Sequence, residues 1–161
     1  MSFVATVNPP KPDVEPTVQN DGWMPDMEPT AVRAACQLDG TVTTARLIPA
    51  LQAAMMSINA ELQAWASEQR ARYGYAALAD VPAPQMGGVS AQVLRYRRAV
   101  HACLQADLAE AHRNMDTLPA GQGKEARVLE SLQVQIDEHR RRQRWAISDL
   151  LGIARSTIEL I

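Results

Sequence analysis

Apolar residues recur at helical spacing through the middle of the chain. Leu47, Leu51, Met55, Ile58, Leu62 and Trp65 follow one another at steps of four, four, three, four and three. That period, held for five turns, predicts a long amphipathic helix. Thr41-Val42-Thr43-Thr44 offers caps for it, Pro49 either kinks it or marks its true first turn, and Gly74 ends it. A shorter helix precedes it. Asp26 can cap, Glu28 suits the helix dipole, Pro29 fits a first turn, and Asp39-Gly40 signals a stop beyond Cys36. Tyr73 to Pro84 reads as an ordered, proline-bearing connection to the next helix. That third helix starts after Gly87-Gly88 with Ser90 as its cap. Its buried line is Val93, Tyr96, Val100, Cys103 and Ala106, widened by Leu104, Leu108 and Ala111. Asp116 to Gly123 is a turn-rich break. A fourth helix begins near Lys124, carries Leu129, Leu132, Ile136, Ala146, Ile147 and Leu150, and stops at Gly152.

The two ends break this pattern. Six of the ten prolines stand at positions 9, 10, 12, 16, 25 and 29, among Asp13, Glu15, Asp21, Asp26 and Glu28, with Lys11 the single base. Such a stretch cannot offset its ordering entropy by burial, so residues 1–22 read as a flexible acidic arm. Trp23 reads as an anchor for the arm, on the domain or on a partner. Residues 23–155 form the helical domain. Ser156, Thr157, Ile158, Glu159, Leu160 and Ile161 form an apolar, β-branched tail. The expected fold is all-α, a small bundle of about four helices with an arm and an extended tail. Composition agrees: at 161 residues the chain suits one domain, and aromatics are only 4% while alanine is plentiful.

Charge and candidate chemistry exclude more than they offer. A net charge of -2 makes no general argument for nucleic acid or acidic membranes. The N-terminus lacks the basic start and long apolar run of a signal peptide, and no uncharged stretch is long enough to cross a bilayer. Cys36 and Cys103 stand in no CxxC pair and read as small core residues of a protein kept in a reducing cytoplasm. His101, His112 and His139 have no carboxylate or cysteine spacing that completes a metal site. Glu138-His139 lacks the second histidine of a zincin helix. Gly121-Gln122-Gly123-Lys124 lacks the upstream glycine, the hydroxyl residue and the preceding strand of a phosphate loop. No catalytic constellation and no cofactor site is expected.

The run Arg140, Arg141, Arg142, Gln143, Arg144 is the sharpest charge feature. With no apolar residue in that turn, it is expected not to be buried against its own domain. It reads as a solvated face, a salt-bridging subunit interface or a phosphate contact, and Asp137, Glu138 and Asp149 nearby weigh against nucleic acid.

Six blocks in order carry a family resemblance. They are Trp23-Met24-Pro25-Asp26-Met27; Gln37 through Thr43; Asn59-Ala60-Glu61-Leu62 with Trp65; Leu78 through Ala83; Tyr96 through Val100; and Arg144-Trp145-Ala146-Ile147 on to Ile161. At these spacings the chain, from about residue 22 to 161, resembles the head completion (head stabilisation) proteins, the L protein family of contractile-tailed temperate bacteriophages. Gln37 stands where the family pattern has arginine, and the region around His101 and Ala111 to Met115 is less aromatic than in relatives. The resemblance implies a structural virion protein of the head–tail neck, assembled in the host cytoplasm, and not an enzyme. It implies binding to the portal protein at the vertex of the filled head. It also implies a homo-oligomeric connector ring, twelve-fold by analogy with other small helical adaptors, with tail-side neck or tail-terminator proteins beyond and packaged DNA at the lumen. Ser156 to Ile161 is then expected to dock on the portal. Arg140, Arg141, Arg142 and Arg144 are expected at a subunit interface or facing the lumen, and Trp23 becomes the anchor of the arm. The alternative is a DNA-binding packaging helper.

Overall fold

The computed structural model describes residues 15–38, 40–115 and 124–155. Four helices dominate them: α1 (Pro29–Cys36), α2 (Thr44–Tyr73), α3 (Ala91–Met115) and α4 (Lys124–Leu151). No helix is long and apolar enough to cross a membrane among the described residues.

The period read in α2 is the buried face of that helix. Leu47, Leu51, Ile58 and Leu62 are fully buried and Met55 nearly so, while Trp65 is half-buried. Pro49 lies inside the helix rather than at its start. Thr43 holds the N-cap position without a side-chain cap, and the Thr44 hydroxyl turns to Glu15 instead. Gly74 closes the helix at φ 72°, a left-handed conformation that glycine adopts without a Cβ penalty. At α1, Glu28 and not Asp26 occupies the N-cap, because the Asp26 carboxylate accepts the Asn20 N–H at 2.8 Å.

Helices α3 and α4 run antiparallel. Gln92 Nε2 donates to the Leu150 carbonyl at 3.3 Å at one end, and Arg140 reaches Asp107 further along. Tyr96, Val100, Cys103, Leu104 and Ala106 are buried as expected, Leu108 is half-buried, and Ala111 is exposed. Tyr96 and Val100 of α3 join Ile58 and Leu62 of α2 and Ala146 and Leu150 of α4 in one core. That core is thin, built where helices approach over alanine and medium aliphatic side chains.

Between α2 and α3 the chain folds tightly. Leu78–Asp80 forms a single 3-10 turn, closed by the Asp80 carboxylate accepting the Ala77 N–H at 2.9 Å. Leu78 is fully buried, and its N–H donates to the Trp23 carbonyl at 2.9 Å. A miniature hairpin follows, β1 (Gln85–Met86) paired antiparallel with β2 (Val89–Ser90). Gly87 and Gly88 both have positive φ, 57° and 76°, as a two-residue hairpin turn requires. Ser90 then caps α3, its Oγ accepting the Gln92 N–H at 3.3 Å.

Candidate functional site

Two regions answer to the sequence features singled out above. One is the segment leading into Trp23. The other is the arginine turn of α4.

Residues 15–22, which composition reads as part of a flexible arm, are seated on the helices; residues 1–14 lie outside the described part. Their attachment is polar, which is why hydrophobicity did not reveal it. Glu15 is only 9% exposed. Its carboxylate accepts from Arg33 Nε and Nη2 of α1 at 2.7–3.0 Å and from the Thr44 hydroxyl of α2 at 2.7 Å. Arg33 also donates to the Val42 carbonyl at 2.6 Å, so one ion pair joins the segment, α1 and the start of α2. The hydrogen-bonded Arg33 holds the Glu15 carboxyl below its ordinary pKa, against the opposing effect of burial. Val18 pairs with Met27 through two backbone hydrogen bonds, 2.8 and 3.0 Å.

Trp23 is buried on the domain itself. Its indole N–H donates to the Tyr75 carbonyl at 3.0 Å, and its ring meets Trp65 edge to face with centroids 6.0 Å apart. Arg70 lies over the ring at 4.9 Å and pairs with Asp21 at 3.1 Å. Burial works against the charge of Asp21. The N–H groups of Met24 and Trp23 and the Arg70 guanidinium outweigh it and hold the carboxyl below the usual carboxylate range.

The arginine turn divides in two. Arg140 faces inward: it pairs with Asp107 at 2.7 Å and Glu110 at 3.0 Å, both on α3. Burial opposes its charge, and the two carboxylates more than restore it. Gln143 is buried and donates to Glu61 of α2 at 3.1 Å. The inner half of the turn, Arg140 and Gln143, is therefore packed against its own domain, contrary to the expectation drawn from its lack of apolar residues. Ion pairs and amide hydrogen bonds satisfy the buried polar groups that hydrophobic contact would otherwise exclude.

Arg141, Arg142 and Arg144 are exposed. Arg141 and Arg142 both pair with Glu138 one turn back on α4. Arg144 makes no ion pair with another described residue. Arg141 and Arg155 lie over the Trp145 ring, each 5.1 Å from its centroid, and Arg155 Nε also donates to Asp149 at 2.9 Å. The sequence reading places Trp145 and Arg155 in a family block and gives them no role of their own. The signal available was an aromatic residue flanked by arginine within a helix. Ser156 to Ile161, expected to dock on the portal, lie outside the described residues.

Among the described residues no group of three or more His, Cys, Asp or Glu side chains is placed to hold a metal ion. Burial pushes the Cys36 and Cys103 thiols up to about 11, where neither is a ready nucleophile. Burial and the neighbouring Arg97 lower the pKa of His101. Burial and Arg142 lower that of His139, whose buried Nδ1 has no hydrogen-bond partner among the described residues.

Comparison with known proteins assigns the molecule where chemistry does not. No solved structure matches it. It is 38% identical over 147 residues to the head completion/stabilization protein of Escherichia phage P2, covering 91% of this chain and 84% of that one. The family described as "Phage head completion protein (GPL)" matches residues 18–161, from Val18 through the whole helical domain to the last residue. On both grounds the chain belongs to the phage head completion protein family.

Proposed function

We propose that this protein completes the DNA-filled head by binding the portal vertex and forming the connector ring to which the tail attaches. The observation that carries the reading is the family match over residues 18–161, which takes in both the Trp23 anchor and the C-terminal segment. On this reading the protein is a virion component of the neck, assembled in the host cytoplasm, and performs no catalytic step. Its partners are the portal, further copies of itself in a ring of about twelve by analogy with other adaptors, and the neck or tail-terminator proteins beyond. Residues 156–161 dock on the portal, and the exposed arginines of α4 meet a neighbouring surface. Heads produced without the protein test this reading. They are expected to fill with DNA, to fail to retain it and to accept no tails. Adding the purified protein should restore both properties, whereas stable heads that accept tails without it would contradict the reading.

The second reading, a DNA-binding packaging helper, draws on Arg141, Arg142 and Arg144 exposed on one helix. It requires the isolated protein to bind duplex DNA with an affinity that falls steeply as salt rises.

A further inference from the structure

The end of α4 carries an arginine–tryptophan surface that the described chain pairs only in part: Arg141 and Arg155 meet Glu138 and Asp149, while Arg98 and Arg144 form no salt bridge with another described residue. Gln143, Ala146, Ile147 and Leu150 point inward, which leaves Arg141, Arg144 and Trp145 on the outer side of the helix. Arg155, beyond the helix, folds back over Trp145 and is held there by Asp149. α3 runs antiparallel beside α4 between the Gln92–Leu150 and Asp107–Arg140 contacts, which sets Arg98 level with the turn that carries Trp145. Arg98 and Arg144 make no hydrogen bond with another described residue.

We infer that this surface, centred on Trp145 and flanked by Arg98, Arg144 and Arg155, binds a carboxylate-rich surface of another virion protein. This deepens the proposed head-completion reading and rests on it. Three observations choose the occupant. Arginine and tryptophan are the side chains that dominate protein–protein hot spots, and Arg144, which pairs with no other described residue, presents a guanidinium fork that matches a carboxylate. Nucleic acid fits less well. Two guanidinium groups already occupy the Trp145 ring, whereas single-strand recognition needs an open aromatic face. Glu138 and Asp149 also interrupt any path for phosphates, and the chain as a whole carries a charge of -2. A second copy offers fewer carboxylates than its composition suggests, because Asp21, Glu68, Asp107, Glu110, Glu138 and Asp149 already hold arginines within the chain.

The test uses full-length protein and purified heads from particles that lack it, both DNA-filled and emptied of DNA. The Arg98→Glu/Arg144→Glu variant alters exposed side chains and is expected to melt within about 2 °C of wild type. Wild type should bind both kinds of head, and the variant should bind each about tenfold more weakly or worse. Neither protein should shift a short duplex DNA at the same salt. Variant binding equal to wild type overturns this inference alone. Binding confined to filled heads, with a duplex shift that the double substitution abolishes, assigns the surface to phosphate and overturns it. A variant that changes the oligomeric state of the free protein while binding heads normally assigns it to a second copy and overturns it too. Wild type that binds neither head overturns both this inference and the proposed function.

Discussion

The hydroxyl of Tyr96 donates a 2.7 Å hydrogen bond to Asn59 Oδ1, and both residues also bind Asn20. Asn59 Nδ2 donates to Asn20 Oδ1 at 2.7 Å, and Asn20 Nδ2 donates to the Tyr96 oxygen at 2.8 Å, closing a three-membered ring of side chains. The ring joins α2, α3 and the segment that leads into Trp23. Tyr96 is fully buried, so its hydroxyl depends on the two asparagines for its partners, while Asn20 is also tied to Pro25 and Asp21.

Removing that hydroxyl is expected to be costly for its size. Tyr96→Phe leaves Asn59 Oδ1 without its donor, and the loss should be about 1–3 kcal/mol. Urea unfolding measures it. A midpoint equal to wild type would show that water or a rearranged amide replaces the phenol.

The same phenol should titrate late. Burial, partly offset by the Asn20 hydrogen bond, raises its pKa to about 12. An unfolded tyrosine ionises near pH 10, about two units earlier. Above that point the unfolded state holds fewer protons, so stability should fall as pH rises beyond about 10. Spectrophotometric titration of the native protein should show a phenolate forming at about 12 that is missing in Tyr96→Phe.

Glu15 predicts the opposite dependence. Its folded pKa is depressed below the ordinary 4.5, so its contribution is complete above about pH 4.5 and disappears as pH falls through the folded value. Glu15→Gln should cost about 1–3 kcal/mol at neutral pH by leaving Arg33 half-satisfied. Acid titration of stability should be shallower in the variant below pH 4.5 than in wild type. Parallel curves would show that the pair is solvated and weak.

The two thiols are expected to be inert in the folded state. Cys36 and Cys103 are buried with pKa values pushed to about 11. A thiol reagent at about pH 8 should label neither at a significant rate in native protein and both after unfolding. Rapid native labelling at one site would expose a local opening there.

How much of this was legible in the sequence depends on the kind of contact. The α2 face from Leu47 to Leu62 follows the helical period, because apolar burial leaves a repeating trace. Ser90 and Gly152 mark helix ends by local chemistry, and the Leu78 connection proved to be packed, with Trp23 held against it. Glu15, Asn20 and Arg140 left no trace of that kind. Each is fixed by hydrogen bonds to residues distant along the chain, such as the Asn20–Tyr96 pair 76 residues apart. A composition count reads such residues as exposed. The same blindness hid Gln143, buried against Glu61, and the pairing of Trp145 with two arginines, only one of which lies within its helix.

The chain belongs to the phage head completion family, and the place proposed for it is the portal vertex. Electron microscopy of the purified portal, with and without this protein, tests that most directly. The predicted result is an added ring of density on the tail-facing side of the portal, lost when residues 156–161 are deleted. A portal unchanged by saturating protein, with the protein instead bound along duplex DNA, would contradict it.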